Sequence, residues 1–181
     1  MVTWLVDGNN LSCSRGVPNE RETILRELAK VASPRSSLSG GGDDRHANDQ
    51  CSKSPSDSKP PKSISYVVIV FDGNEDEASD RTVVDEDKWL EWTVTDGRKR
   101  LKDRADDWIV DKTIPNLHRL VNERLSGGMG STRVNLVSAD RALQKRVRAT
   151  RIMNGGSFVH PPKFWKDYIP VLQKQQVDYE R

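Results

Sequence analysis

Three apolar runs in this chain each end on an aspartate: Asp7 after TWLV, Asp72 after VVIVF and Asp140 after NLVSA. A fourth acidic group, Asp106 with Asp107, opens a stretch with helical spacing. In open α/β sheets, ligand sites gather at the carboxyl ends of the strands, so these aspartates meet at one edge if the sheet is parallel. Carboxylates brought that close repel and raise one another's pKa. The usual remedy is a hard divalent cation, and Mg2+ or Mn2+ suits an all-oxygen set. Such ions lower the pKa of bound water and stabilise both oxygens of an in-line phosphoryl displacement. Each aspartate also has a plainer explanation. Asp-Gly, at 7–8 and 72–73, is a turn dipeptide, and Asp106, Asp107 and Asp140 are placed to cap helices. Their shared placement at corresponding ends is what singles out the set.

The elements that must position these residues follow from hydrophobic spacing. Residues 2–6 (VTWLV) read as a short strand running into a turn, Asp7-Gly8-Asn9-Asn10. Residues 66–71 (YVVIVF) are the clearest strand, and their continuous apolar pattern indicates burial on both faces, as in parallel sheets. Residues 89–95 (WLEWTVT) and 133–138 (RVNLVS) are further strands, with a short last one at 157–159. Helical spacing marks 20–31, where Ile24, Leu25, Leu28 and Val31 share a face, and also 141–151 and 162–173. A long helix starting at Ala105 carries Val110, Ile114, Leu117, Val121 and Leu125 on one face, and Pro115 is expected to kink it. Residues 126–132 form a loop. Strands alternating with helices predict an α/β domain, a three-layer sandwich with a mostly parallel central sheet.

The composition fits one such domain over residues 1–175, with an interruption. The chain has 181 residues, 34% of them hydrophobic, and its mean hydropathy is -0.74. Much of that polarity lies in residues 33–63, which hold nine serines, four of the nine prolines and almost nothing apolar. That block cannot bury enough surface to offset its ordering entropy and reads as a flexible insert. No window is long and apolar enough to span a membrane, and the first apolar run is too short for a secretory signal. Two cysteines, Cys13 and Cys51, form no disulfide framework, so an intracellular, cytoplasmic setting is expected, or an organellar one where the N-terminus has been processed. The net charge of +2 says little about partners, and the sequence leaves the oligomeric state open.

Charge distribution says more. Residues 98–104 (RKRLKDR) place Lys99, Arg100 and Arg104 just before Asp106, and the helix after Asp140 carries Arg141, Lys145 and Arg148. Charge runs are usually solvated faces. Cationic walls around an acidic, metal-loaded pit, however, are what a phosphodiester substrate requires.

Val6-Asp7-Gly8-Asn9-Asn10-Leu11, Val70-Phe71-Asp72-Gly73, Arg104-Ala105-Asp106-Asp107-Trp108-Ile109 and Val137-Ser138-Ala139-Asp140-Arg141-Ala142-Leu143 together resemble the NYN domain. The likeness is closer to its YacP-like branch, within the PIN-like nuclease superfamily. The motifs occur in the family's order and span residues 2 to about 170 apart from the insert. The resemblance implies a PIN-like α/β/α sandwich and metal-dependent RNA cleavage, with RNA met free or on a ribosome. It implies Asp7, Asp106 and Asp140 as metal ligands with Asp107 supporting, Asn10 and Ser138 as orienting residues, and Asp72 near the site. The insert and the placement of Ala139 between Ser138 and Asp140 depart from the family's compact pattern.

Other chemistries fit less well. The glycine-rich stretch at 127–132 has no lysine and precedes a strand, so it is not a phosphate loop. His46, His118 and His160 lack metal-ligand spacing. The five tryptophans read as core packing, with Trp108 open to a role beside the acidic pair. An aspartyl phosphotransferase with Asp7 as nucleophile usually has a second carboxylate two residues on, and position 9 is Asn. A PIN-like module that binds RNA or ribosomes with little turnover is the remaining alternative.

Overall fold

A computed structural model describes residues 1–34, 64–98, 104–126, 132–153 and 155–180. Strands β1 (Val2–Asp7), β2 (Ser65–Phe71), β3 (Arg81–Val84), β4 (Leu90–Val94), β5 (Arg133–Val137) and β6 (Phe158–Val159) form one sheet in the order β3-β4-β2-β1-β5-β6. All pairings are parallel except β3 with β4. The protein is therefore an α/β fold around a six-stranded, mostly parallel sheet. Every residue of β2 is buried, as its unbroken apolar run requires of a central parallel strand. Edge strand β3 (RTVV) is four residues long, flanked by the acidic residues of 72–87, and largely exposed, so it shows no apolar alternation.

Alternation along the strands sends side chains into two cores. Trp4, Val6, Val67, Ile69 and Phe71 pack with Ile24 and Leu28 of helix α2 (Arg21–Ala29), and with Phe164, Ile169 and Leu172 near the C-terminus. Leu5, Val68 and Val70 instead meet Ala105, Ile109, Ile114 and Leu117, and Leu143 and Val147 of helix α5 (Arg141–Ala149). All five tryptophans pack against one core or the other, as expected of large apolar rings. Trp4 lies 5.0 Å from the Phe164 ring centroid. Among the described residues, no helix is long and apolar enough to cross a membrane.

The long helix expected from Ala105 is interrupted rather than simply kinked. Helix α3 (Arg104–Trp108) passes through a π turn, Ile109–Thr113, into helix α4 (Ile114–Ser126). Pro115 has no N–H to donate to residue 111, and the chain widens so that the Ile114 N–H reaches the Ile109 carbonyl. The wider turn spaces the fully buried Ile109 and Ile114 five apart, and Val110, which helical spacing placed on that face, packs partly buried against the same core. The C-terminal segment repeats the device. Helix α6 (Pro161–Lys163) passes through a π turn, Phe164–Tyr168, into helix α7 (Ile169–Glu180). There the Ile169 N–H bonds the Phe164 carbonyl, one residue before Pro170.

Ser33 and Pro34, read from sequence as the start of the insert, belong to the fold. Ser33 is buried, its Oγ accepts the Ser65 N–H at 2.9 Å, and Pro34 bridges Lys88. The remainder of the insert, 35–63, and the greater part of the loop expected at 126–132 lie outside the described residues.

Candidate active site

Strand order reverses at β1: the chain leaves it for β2 on one side, and β5 is added on the other. In doubly wound sheets, the crevice at the carboxyl ends of two such strands is where ligands bind. Asp7 ends β1 there and is 2% exposed. It caps the short helix α1 (Gly8–Ser12), accepting the Asn10 backbone N–H at 3.0 Å through Oδ1. Its Oδ2 accepts the Ser138 hydroxyl at 2.9 Å.

Burial pushes the Asp7 carboxyl above its ordinary pKa, because water no longer solvates the anion. The bonds from Asn10 and Ser138 partly offset this, and the nearby charge of Asp72 adds to it. Among the described residues no cation pairs with Asp7. A buried, unneutralised carboxylate is costly to keep.

Ser138 is fully buried and serves two partners. While its hydroxyl donates to Asp7, its Oγ accepts the Asp140 N–H at 3.0 Å. Asn10 closes the same loop from α1, its Oδ1 accepting the Ala139 N–H at 3.2 Å. The residue that departs from the family pattern, Ala139, is thus held through its backbone. Asp140 caps α5, with Oδ1 accepting the N–H groups of Ala142 at 2.6 Å and Leu143 at 3.0 Å. Its plain capping role is real, and it occupies only one carboxylate oxygen.

Asp72 is more firmly built into this edge than its sequence suggested. Its Oδ2 accepts the Asn9 amide at 2.5 Å while its own N–H donates to Asn9 Oδ1 at 3.0 Å. Its Oδ1 accepts the Ala105 N–H at 2.8 Å and lies 3.8 Å from Arg104 Nε. Asp72 therefore holds the start of α3 beside β2, and half-buried Asp106 follows one residue later. Asp107 is exposed and pairs with Arg146 of α5 at 2.8 Å. The structure thus joins Asp7, Asn10, Ser138 and Asp140 in one hydrogen-bonded chain, sets Asp72 beside it, and turns Asp107 to a separate partner. Asn9 went unmarked in the sequence because nothing distinguishes it from Asn10 in Asp-Gly-Asn-Asn.

The two Asp-Gly dipeptides mark close approaches as much as turns. A Cβ on Gly8 would lie 2.4 Å from the Phe71 ring, and one on Gly73 only 1.9 Å from the Thr95 carbonyl oxygen. Gly73→Ala must move backbone against backbone, so it should cost about 2–3 kcal/mol. For a chain of this size that corresponds to a melting temperature lower by roughly 5–10 °C. Thermal unfolding followed by circular dichroism checks this, and an unchanged melting temperature would refute the packing argument.

The basic residues divide. Arg104 is mostly buried and braces the site, donating to the Asp96 carbonyl at 2.8 Å and the Gly73 carbonyl at 3.1 Å. It is a structural brace rather than the exposed phosphate contact that its sequence suggested. Arg141, Lys145 and Arg148 are exposed on α5, with the Arg148 guanidinium over the Phe158 ring at 5.0 Å. Lys99 and Arg100 lie outside the described residues. His118 bonds the Thr150 carbonyl at 3.1 Å, a packing role.

Among the described residues, no three His, Cys, Asp or Glu side chains gather as a ready-made metal cage. Mg2+ does not demand one, since it commonly keeps several waters and takes only one or two carboxylates. The unneutralised Asp7 carboxylate and the uncommitted oxygen of Asp140, tied together through Ser138, fit a partly hydrated dication of that kind. No protein-family model, curated protein or solved structure matches the chain.

Proposed function

We propose that this chain is a metal-dependent ribonuclease, an endonuclease hydrolysing single-stranded or unpaired RNA. In this reading its α/β fold is the PIN-like three-layer sandwich of the NYN domain, YacP-like branch, that its motifs resemble. The observation that carries the proposal is the buried Asp7 carboxylate, without a cationic partner among the described residues and linked by Ser138 to Asp140 at the sheet's switch point. Asp7, Asp140 and Asp106 would hold Mg2+ or Mn2+. A bound dication supplies charge neutralisation and a lower pKa for water. Ser138 and Asn10 fix the direction in which Asp7 presents its carboxylate. Arg141, Lys145 and Arg148 hold the phosphate backbone. Hydrolysis proceeds without a covalent enzyme intermediate.

End-labelled mixed RNA incubated with and without Mn2+ tests the proposal: internal cuts that require the ion support it, and intact RNA in both overturns it. The α5 cations give a second check. Removing Lys145 or Arg148 should weaken binding similarly across RNA sequences, and reduce the slope of log affinity against log salt by about 0.7 per lost contact. Measured on the Asp7→Asn protein, an unchanged slope would leave these residues as a solvated face.

The alternative, a PIN-like module that binds RNA or ribosomes without turnover, is favoured by one observation. Asp107, expected to support the metal, is neutralised by Arg146. Tight RNA binding with no cleavage at any Mn2+ concentration would select that reading.

A further inference from the structure

A cleft of about 550 Å3 opens beside the acidic edge, between the start of α2 and the loop after β2. Its size falls in the range of pockets that enclose a small organic group. Asp72 and Asn9 form its inner wall, so it shares residues with the candidate active site. On its floor the Arg21 guanidinium lies over the Phe71 ring, 5.1 Å from the centroid, and Glu77 pins it at 2.6 Å. Arg21 is only part-buried, and a fixed guanidinium is a platform on which a base can stack.

The polar groups of the cleft point to what it takes. Asn19 and Asn74 both line it, both are exposed, and neither side-chain amide makes a hydrogen bond among the described residues. Each amide offers a donor and an acceptor, the pattern that reads base edges. The charge balance disfavours a phosphate: Asp72 and Glu22 are in the wall, and the charge of Arg21 is already matched by Glu77. A neutral ring with an exocyclic amine suits such a wall, since carboxylates and amide oxygens accept from that group.

We propose that this cleft is a nucleobase pocket, holding the unpaired base next to the scissile phosphate through Asn19, Asn74 and stacking on Arg21, and favouring adenine, cytosine or guanine over uracil. The pocket's place beside the cut rests on the ribonuclease reading, whereas base binding in the cleft is measurable without it.

Two measurements separate the two ideas. In the first, the wild-type chain cleaves a randomised RNA with Mn2+ and the new ends are sequenced. Uracil should be depleted about tenfold at one position flanking the cut, a typical discrimination for a good side-chain–base pair. Asn19→Ala and Asn74→Ala should flatten that preference, bringing the uracil-containing and uracil-free sites to the same rate. In the second, metal-free Asp7→Asn protein is titrated with oligo-A, oligo-C and oligo-U. Oligo-U should bind most weakly, and the two Asn substitutions should erase the difference. Both replaced side chains are exposed, so an unchanged melting temperature will certify the fold. Cleavage with no base preference, or a preference that survives both substitutions, overturns the pocket and leaves the ribonuclease standing. Base-dependent binding lost in the variants, without any cleavage, supports the pocket and overturns the ribonuclease. Equal binding of all three oligomers overturns the pocket whatever the cleavage result.

Discussion

Asp7→Asn is expected to lower RNA cleavage by on the order of 10^3-fold, the equivalent of several kcal/mol of charge stabilisation at the reacting phosphate. The same substitution should leave the ion-free melting temperature at neutral pH unchanged or raised. These opposite effects follow from one fact, the burial of an anion that no cation neutralises among the described residues. Because burial raises the folded-state pKa of Asp7 above its unfolded value, the folded protein holds that proton more tightly. The stabilisation from this group is fully present below the unfolded pKa, near 3.9, and is lost as pH rises through the folded value. Above that folded value the ionised side chain therefore destabilises the fold, and Asn removes the charge while keeping the shape. Lowering the pH towards 4 should narrow the gap between the two proteins. Asp140→Asn should likewise lose cleavage yet keep α5, since asparagine is an equally good N-cap. A clear fall in the neutral-pH melting temperature of Asp7→Asn would contradict the burial argument. Cleavage within tenfold of wild type would remove Asp7 from the metal site.

How far the sequence revealed this arrangement depends on the range of the interactions involved. The central strands were legible because their apolar runs are continuous, and a parallel sheet buried on both faces demands that pattern. Asp7 and Asp140 were legible for a related reason, since each closes such a run and the carboxyl edge of a parallel sheet is shared. Local capping was legible too, and Asp140 does cap α5. The long-range partners were not. Asn9 and Asp72 are 63 residues apart and Arg146 and Asp107 are 39 apart, and no local pattern pairs them. The exposed β3 escaped for another reason: it is four residues long at an edge, set among acidic residues, with little burial to impose a period of two. The π turns were half legible. Pro115 announced an irregularity, but its form depends on whether neighbouring packing accepts a wider turn. Ile109 and Ile114 in one core, and Phe164 and Ile169 in the other, show the same solution twice. In both places an isoleucine precedes the proline and a large apolar residue stands five positions before it.

Ser138→Ala should separate the positioning of Asp7 from its charge. The side chain is fully buried, and its hydroxyl is the group that joins the ends of β1 and β5. Removing it leaves the Asp7 carboxylate with one fewer donor and the Asp140 N–H without its acceptor. A hydrogen bond to a charged group is worth roughly 1.5–3 kcal/mol, so a destabilisation of about that size is expected at neutral pH. It should shrink in acid, where Asp7 is protonated and the lost bond no longer solvates an anion. The kinetic consequence has a definite sign. The Ser138 bond lowers the Asp7 pKa against the larger effect of burial, so its loss raises that pKa further. A carboxylate must be ionised to hold a dication, and the acid limb of the pH–rate profile should therefore move to higher pH. Raising the pH or the Mn2+ concentration should recover part of the lost rate. Ser138→Thr keeps the hydroxyl and should hold the acid limb near its wild-type position, even where the added methyl costs stability. If Ser138→Ala lowers the rate equally at every pH, the hydroxyl acts on the substrate or on loop structure and not through Asp7.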